Sequence, residues 1–423
     1  MIYNIIDFGA VSDGKTMNTA AIQNAIDKCS ETGGRVIVPA GTFMSGSIEL
    51  KSNVDFHLEQ GAHLLASDKL EDYNDEDAYV QNWSGIDEGW KGKHFIFCVE
   101  QENVSITGLG MIDGNATAFF EENTGVTMLH NWRLGFAREK DKVNLRPGQM
   151  VVFMECKNIR VEDVTMTQSP CWTLFFHGCE YVQATRLKIK NTYYHANTDG
   201  IDIDTCRYVT ISDCIIRTGD DAITFRGAGK RLKSGKACEY ITVNNCILSS
   251  SAAAFRIGVG TYPIRHIQVA NITICFAGVA FCFHPEWAGT GATPIDDLSI
   301  TNISVSNVAL LWELHVDNGT KVSNLRFCNV HAETMNAFMF RISKMNCIRN
   351  IFFRDIYIRA IEDTVSLTKD AQFPFVHLEN IENLCIENMQ LDISEEIRAN
   401  MNKLIYSQGM GEESLAAIKY LKQ

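Results

Sequence analysis

The sequence has no excess of basic residues, no CxxC pair and no apolar run long enough to cross a bilayer. Each absence closes a class of function. Lysine and arginine total 38 against 51 aspartates and glutamates, a formal net charge of −13, which argues against a nucleic-acid partner. The opening segment, MIYNIIDFGA, lacks the basic stretch and apolar core of a secretory signal, so neither export nor a membrane partner is expected. The 14 cysteines are scattered, several of them at strand positions such as Cys214, Cys246 and Cys275. They read as small core residues in a reducing compartment, not as a disulfide framework or a zinc site, and the expected location is the cytoplasm. The sequons at Asn103, Asn271 and Asn302 follow from repeat composition and carry no glycosylation signal. With 46% hydrophobic residues, the chain has ample material for a large core.

What is present is a repeat. An apolar-x-apolar pattern, a polar pair and a further apolar residue begin at Val104, Ile159, Val182, Val209, Ile241, Ile267, Leu298, Leu325, Ile351 and Leu384. After a first gap of 55, the spacings run from 23 to 33 residues. Asparagine or aspartate recurs near one place in the copies, at Asp163, Asp213, Asn245, Asn271, Asn302, Asn329, Asp355 and Asn388. Short β-rich strands at this period, with no helix between them, predict a parallel β-solenoid. Leucine-rich repeats share the period but need a leucine scaffold that is missing here. Ankyrin and tetratricopeptide repeats are helical. The fold expected is all-β, a single-stranded right-handed parallel β-helix of about ten or more coils, and residues 1–423 form one domain.

The two ends read differently. Thr19–Ser30 places Ala21, Ile22, Ala25, Ile26 and Cys29 on one face, with Gly33-Gly34 as the stop, which predicts a capping helix within a cap over 1–65. Coils are expected over about 95–392. Residues 393–423 have helical spacing at Ile397, Met401, Leu404 and Ile405, then at Leu415, Ile418 and Leu421, so a helical tail is expected there. Three insertions interrupt the repeat, and solenoid insertions often build a binding face. Residues 67–93 hold Trp83 and Trp90, and 115–148 hold Trp132, Arg133, Arg138 and Arg146. Residues 229–236, GKRLKSGK, form a basic loop that is either a lure for an acidic substrate or a solvated turn.

The densest chemistry lies between Asn197 and Phe225. Two turn–strand copies, Asp199-Gly200-Ile201-Asp202-Ile203 and Asp221-Ala222-Ile223-Thr224-Phe225, lie one coil apart. Stacking them sets Ile201 beside Ile223 and Asp199 beside Asp221, about 4.8 Å apart at the backbone, with Asp220 adjacent in the chain. Folding gains nothing obvious from three crowded carboxylates; acid/base catalysis does. A calcium site of Asp199, Asp220 and Asp221 is the alternative, since hard cations take several carboxylate oxygens.

These stretches together (DFGA, GGRVIVPAGTF, IDG, SPCWT, NTDGIDID and TGDDAI) resemble the polygalacturonase-like glycoside hydrolases, family 28, of the pectin-lyase-like β-helix superfamily. The resemblance spans nearly the whole chain. It implies Asp220 as general acid, Asp199 and Asp221 as activators of the attacking water, and inversion at the anomeric carbon. It also implies an oligosaccharide substrate and no cofactor or resident metal. Asn197, Asp202, Arg226, Arg256, His284 and Trp287 are the substrate-binding candidates. Asp202, with Asp204, points outward to orient sugar hydroxyls or arginine side chains. Trp287, in a Pro-Glu-Trp-Ala-Gly loop, offers a stacking platform for a sugar ring.

Two departures stand out. Ala253 occupies the level of the family's Gly-His-Gly histidine, and Cys282-Phe283-His284 replaces its Arg-Ile-Lys anchor for the uronate. Arg256 either clamps a substrate carboxylate in compensation or forms a structural ladder with Asp202. His177 and His195 read as hydrogen-bonding fillers in turns. Trp312 reads as core, with Glu313 and His315 facing outward. The expected function is an inverting, exo-acting glycosidase on pectin-derived, uronate-containing oligosaccharides. A polysaccharide lyase and a non-catalytic carbohydrate-binding solenoid are the alternatives. A homo-oligomer is compatible with the sequence.

Overall fold

Within each of two runs, the repeat positions named above are ladder partners on neighbouring coils. In a computed structural model, which describes residues 1–82, 92–120, 146–287, 291–362, 374–399, 404–409 and 418–421, Val104 pairs with Ile159, Ile159 with Val182, and Val182 with Val209. Further on, Ile241 pairs with Ile267, then Leu298, Leu325, Ile351 and Leu384 follow in order. The strands pair in parallel, so each coil's backbone amides are satisfied by the next coil. The architecture is a parallel β-helix, built in two compact units. One comprises the described residues up to Asp220 together with Gly229–Lys236; the other comprises Asp221–Ala228 and those from Ala237 onward.

In the first unit, each coil carries three strands. Val151–Met154, Lys157–Glu162 and Thr165–Thr167 are followed by Leu174–His177, Glu180–Thr185 and Lys188–Lys190 in the next coil. Each strand pairs with its equivalent. Alternate residues face inward, and Ile159, Val161, Val182, Ala184, Val209 and Ile211 are all buried. Cys98, Cys156, Cys179 and Cys206 are buried here too, with the Cys98 and Cys156 sulfurs 3.7 Å apart. All 14 cysteines are thiols; Cys214 and Cys246 are buried as expected, whereas Cys275 is exposed rather than in the core.

In the second unit the strands run on around corners, as in Ile264–His284, Ile295–Val316 and Val322–Ile342. Phe225, Phe255 and Phe281 stack at centroid spacings of 6.3 and 5.4 Å. Trp312 is fully buried against Phe338, 4.7 Å away, as its alternation with Leu310 and Leu314 predicts.

The recurrent Asn and Asp positions have a conformational cause. All eight, from Asp163 to Asn388, have φ between 51° and 68°, the left-handed region that L-residues avoid except for Asn and Asp. They turn the chain between strands without breaking the ladder. Their side chains then bond along the stack: Asn302 donates to Asn271 at 3.0 Å, and Asn329 donates to Asn302 at 2.9 Å.

The capping helix, α1 (Thr19–Ser30), buries the five residues expected of it. Gly34 behind it is required by close approach, because a Cβ there would lie 2.4 Å from the Met1 carbonyl oxygen. The tail departs from expectation. It holds one five-residue helix, α2 (Glu395–Ala399), and otherwise the described residues are strands. Ile405–Gln408 pairs with Val376–Glu379, and Ile418–Leu421 pairs with Met389–Asp392. The reason is physical: the last coil exposes unpaired amides, and pairing satisfies them where a short isolated helix would be marginal.

The corner geometry predicts that Asn302→Val loses about 1–2 kcal/mol more stability than Asn302→Gly, because glycine takes the left-handed corner without strain and a β-branched residue does not. Both variants lose the same side-chain ladder. Urea denaturation midpoints test the difference, and equal losses would contradict a conformational role for the corner.

Candidate active site

The first unit supplies Asp199 and Asp220, both buried, which present carboxylate oxygens within 4.8 Å of each other. The backbone that holds them is tightly keyed. Gly219 is wedged so that a Cβ would lie 2.2 Å from the His195 carbonyl oxygen and 2.5 Å from that of Thr192. Only glycine fits before the Asp pair. Its N–H donates to Thr198 Oγ1 at 3.1 Å, and the Thr218 hydroxyl donates to the Asp220 carbonyl at 2.5 Å. Asn197 sits at φ 56° and donates its backbone N–H to Asp220 Oδ2 at 3.0 Å. It therefore serves the site through its backbone. Its side chain accepts from Arg146 Nη2 at 3.1 Å.

Arg146 holds the whole turn. Its Nη1 donates to the carbonyls of Pro170 and Ala196 at 2.8 and 2.9 Å, while its guanidinium lies 5.3 Å from the Phe120 ring. Phe120 in turn stacks face to face on His195, 3.9 Å between centroids. Sequence reasoning placed Arg146 in an insertion and missed this anchoring; no local motif announces it. The SPCWT stretch joins here as well, since Thr173 N–H donates to the Asp199 carbonyl at 2.9 Å. Asn191 bridges Thr173 and Thr198 through its side-chain amide.

Asp202 and Asp204 are fully covered rather than presented to solvent. Asp204 lies beside buried His177, with Nδ1 3.5 Å from Oδ2. The basic loop 229–236 is tied down rather than projecting. Lys233 pairs with Glu100, Lys236 pairs with Glu180 at 2.8 Å, and Ser234 N–H donates to Glu155 at 3.1 Å.

Asp221, the next residue in the chain, opens the second unit. It accepts from Ala253 N–H at 3.0 Å and from Arg256 in a fork, Nε to Oδ2 at 2.8 Å and Nη2 to Oδ1 at 3.2 Å. Arg256 is thus engaged by Asp221, which neither of its two expected roles described. The register that places it is the expected one, Thr224 to Arg256 to Cys282. Arg226 is buried. Arg265, partly exposed, pairs with buried Glu239 at 2.6 Å.

Trp287 is 42% exposed, and its ring stands 5.0 Å over the Arg256 guanidinium. One ring face therefore serves a cation–π contact. His284 lies 5.3 Å from the same ring. Trp83, Trp90, Trp132, Arg133 and Arg138 lie outside the described residues.

Residues 29–240, half of the chain, match the model of glycosyl hydrolases family 28. The chain belongs to glycosyl hydrolase family 28. It is 30% identical to an exo-poly-alpha-D-galacturonosidase of Dickeya chrysanthemi over 53% of this chain and 42% of that protein. It is 29% identical to a probable polygalacturonase of Vitis vinifera, over 53% and 44%. The chain spans less than half the length of these two curated relatives. Among solved structures, the family 28 exopolygalacturonase of Yersinia enterocolitica superposes with a TM-score of 0.67 at 18% identity, covering 100% of this chain and 78% of the other. The exopolygalacturonase of Thermotoga maritima gives 0.57 at 21% identity, covering 100% and 90%. Both likenesses establish the fold.

Glu286, read from the sequence as part of a sugar-facing loop, turns inward to organise the next coil. It accepts from the backbone N–H groups of Asp317, Asn318 and Thr320 at 2.7–2.9 Å and from the Thr320 hydroxyl at 2.6 Å. Partial burial alone would raise its pKa; these donors overcome that and hold it at about 2, against 4.5 for an ordinary glutamate. A depressed folded pKa stabilises above the unfolded value, and the contribution is lost as pH falls through the folded one. Glu286→Gln should therefore melt below wild type at pH 7, with the gap closing between about pH 4.5 and 2. Thermal scans across that range test it; a pH-independent gap would contradict the anchoring role.

Proposed function

We propose that this chain is a glycosidase that hydrolyses pectin-derived, uronate-containing oligosaccharides from a chain end, in a reducing compartment. Family membership supports hydrolysis, and the name of the Dickeya relative favours the exo mode. The observation that carries the reading is the buried Asp199–Asp220 pair, held by Gly219, Asn197 and Arg146, where folding has no use for two carboxylates. The 14 thiols fit the compartment.

In this reading Asp220 protonates the glycosidic oxygen. Asp199 takes the proton of the attacking water. The family resemblance gives Asp221 a share in activating the water; within its own unit it is forked by Arg256, which fixes its charge. The nearest Asp199 and Asp220 oxygens are closer than the roughly 6.5–9.5 Å that separates the carboxyl groups in most inverting enzymes. Inversion is thus carried by the family resemblance and not by the separation. Ala253 and Cys282 stand where the family's uronate anchors are expected, so short oligosaccharides suit the site better than long polygalacturonan.

Two measurements test this. Asp220→Asn should lower kcat by about 10²–10⁴-fold with the fold retained, and more than about a tenth of wild-type activity would remove the general-acid role. On a labelled pectic tetrasaccharide, NMR of the first products should show the inverted anomer and loss of one terminal residue at a time. Early products of intermediate length would sink the exo mode, and a retained anomer would sink inversion.

A further inference from the structure

Three side chains of the second unit that no sequence motif connects converge on one point. Cys282 and Glu313 are register partners on neighbouring coils, 31 residues apart, and His284 stands two residues beyond Cys282 on the same strand face. Each offers one donor atom, and the three lie within 4.8 Å of one another. Cys282 Sγ is 3.3 Å from Glu313 Oε2, and His284 Nε2 is 3.6 Å from Glu313 Oε1. Tetrahedral zinc, with bonds of about 2.3 Å to sulfur and 2.0–2.2 Å to nitrogen and oxygen, sets adjacent donors roughly 3.3–3.7 Å apart. The sulfur–oxygen and nitrogen–oxygen spacings are those of such an edge.

We propose that Cys282, His284 and Glu313 form a binding site for a borderline-soft divalent transition ion, with zinc as the fitting member. Four observations support it besides the spacing. His284 Nε2 is buried and makes no hydrogen bond among the described residues, so the ring aims a donor nitrogen into the cluster. A thiolate and a carboxylate balance a dipositive ion, and neutrality suits a pocket where Cys282 is 2% exposed. The Arg256 charge beside it is already met by Asp221, while Arg256 Nη1 donates to Cys282 Sγ at 3.4 Å and orients the sulfur. The mixed sulfur, nitrogen and oxygen donors disfavour calcium and magnesium, which take oxygen.

His315 does not close the set. Its ring lies 6.0 Å from that of His284, and its Nε2 pairs with Asp317 at 3.1 Å. Three protein donors leave a fourth position for water or another small oxygen ligand, the count of an open zinc site. The inference stands apart from the glycosidase reading: it needs neither hydrolysis nor the Asp pair. It also accounts for a cysteine and a histidine at levels where the family resemblance implies an arginine and a lysine.

The test uses the full chain after chelator treatment and dialysis, with zinc chloride and then cobalt chloride as probes. Calorimetry should give one zinc per chain, and the cobalt form should show the near-ultraviolet charge-transfer band of a thiolate ligand. Cys282→Ser, His284→Ala and Glu313→Gln should each weaken zinc by at least about 100-fold, since even outer partners of metal ligands are worth 10–100-fold. Cys275→Ser, which removes the exposed thiol, should change nothing. Substoichiometric zinc in the wild type overturns the proposal, as does tight binding that survives Cys282→Ser or His284→Ala. Should a variant fail to fold, the wild-type cobalt spectrum still decides, because a bound ion without a thiolate band excludes Cys282.

Discussion

Within each unit, parallel hydrogen bonding between successive coils is the constraint on which everything else rests. A coil has no way to satisfy its own amides; they are met only by the coil before and the coil after. This forces near-identical strand phasing from coil to coil, and it forces each corner to turn in few residues. The left-handed asparagines and aspartates are the chain's answer at those corners. Once they are in place, their amides bond to one another up the stack, and a conformational necessity becomes a second ladder. The same constraint explains the tail, where the exposed edge of the final coil takes strands in preference to helix.

The carboxylates sit where this regularity is broken on purpose. A turn that carries Asp199 must come close enough to Gly219 for a methyl group to be excluded, and Arg146 ties that turn to Pro170 and Ala196. Buried acids need fixed donors, and the turn provides one through the Asn197 amide. Rigidity here is built from backbone approach and from one buried guanidinium, so a change at Arg146 would disturb the acids without touching them.

Arg256 shows how a changed neighbour alters a role. With alanine at 253, Asp221 takes a backbone N–H and a two-pronged guanidinium. Trp287 covers the arginine from the other side. A residue that the sequence offered either as a clamp for a substrate carboxylate or as a ladder partner of Asp202 forks one of the protein's own carboxylates, Asp221. Cys282 and His284 lie one coil beyond Arg256 in the same register, and Glu313 lies two coils beyond it.

The repeat phase, the capping helix, the buried Trp312 and the Asp-rich stretch were all legible in the sequence. Each is written in local patterns: alternation of period two, a single amphipathic face, a left-handed corner residue, a motif contiguous in the chain. The eight Asn and Asp positions were visible as a column before their φ values supplied the reason. What tertiary structure alone decided depends on which side chains meet across coils. The Arg256 fork on Asp221, the anchoring by Arg146, the loop held by Glu286 and the convergence of Cys282 with Glu313 join residues 24 to 51 positions apart. The strand tail belongs with them, because Ile405 and Ile418 read equally well on a helix until an open edge is there to receive them. Local pattern determines the coil. Which coil faces which determines the chemistry, since register carries every side chain to its partner.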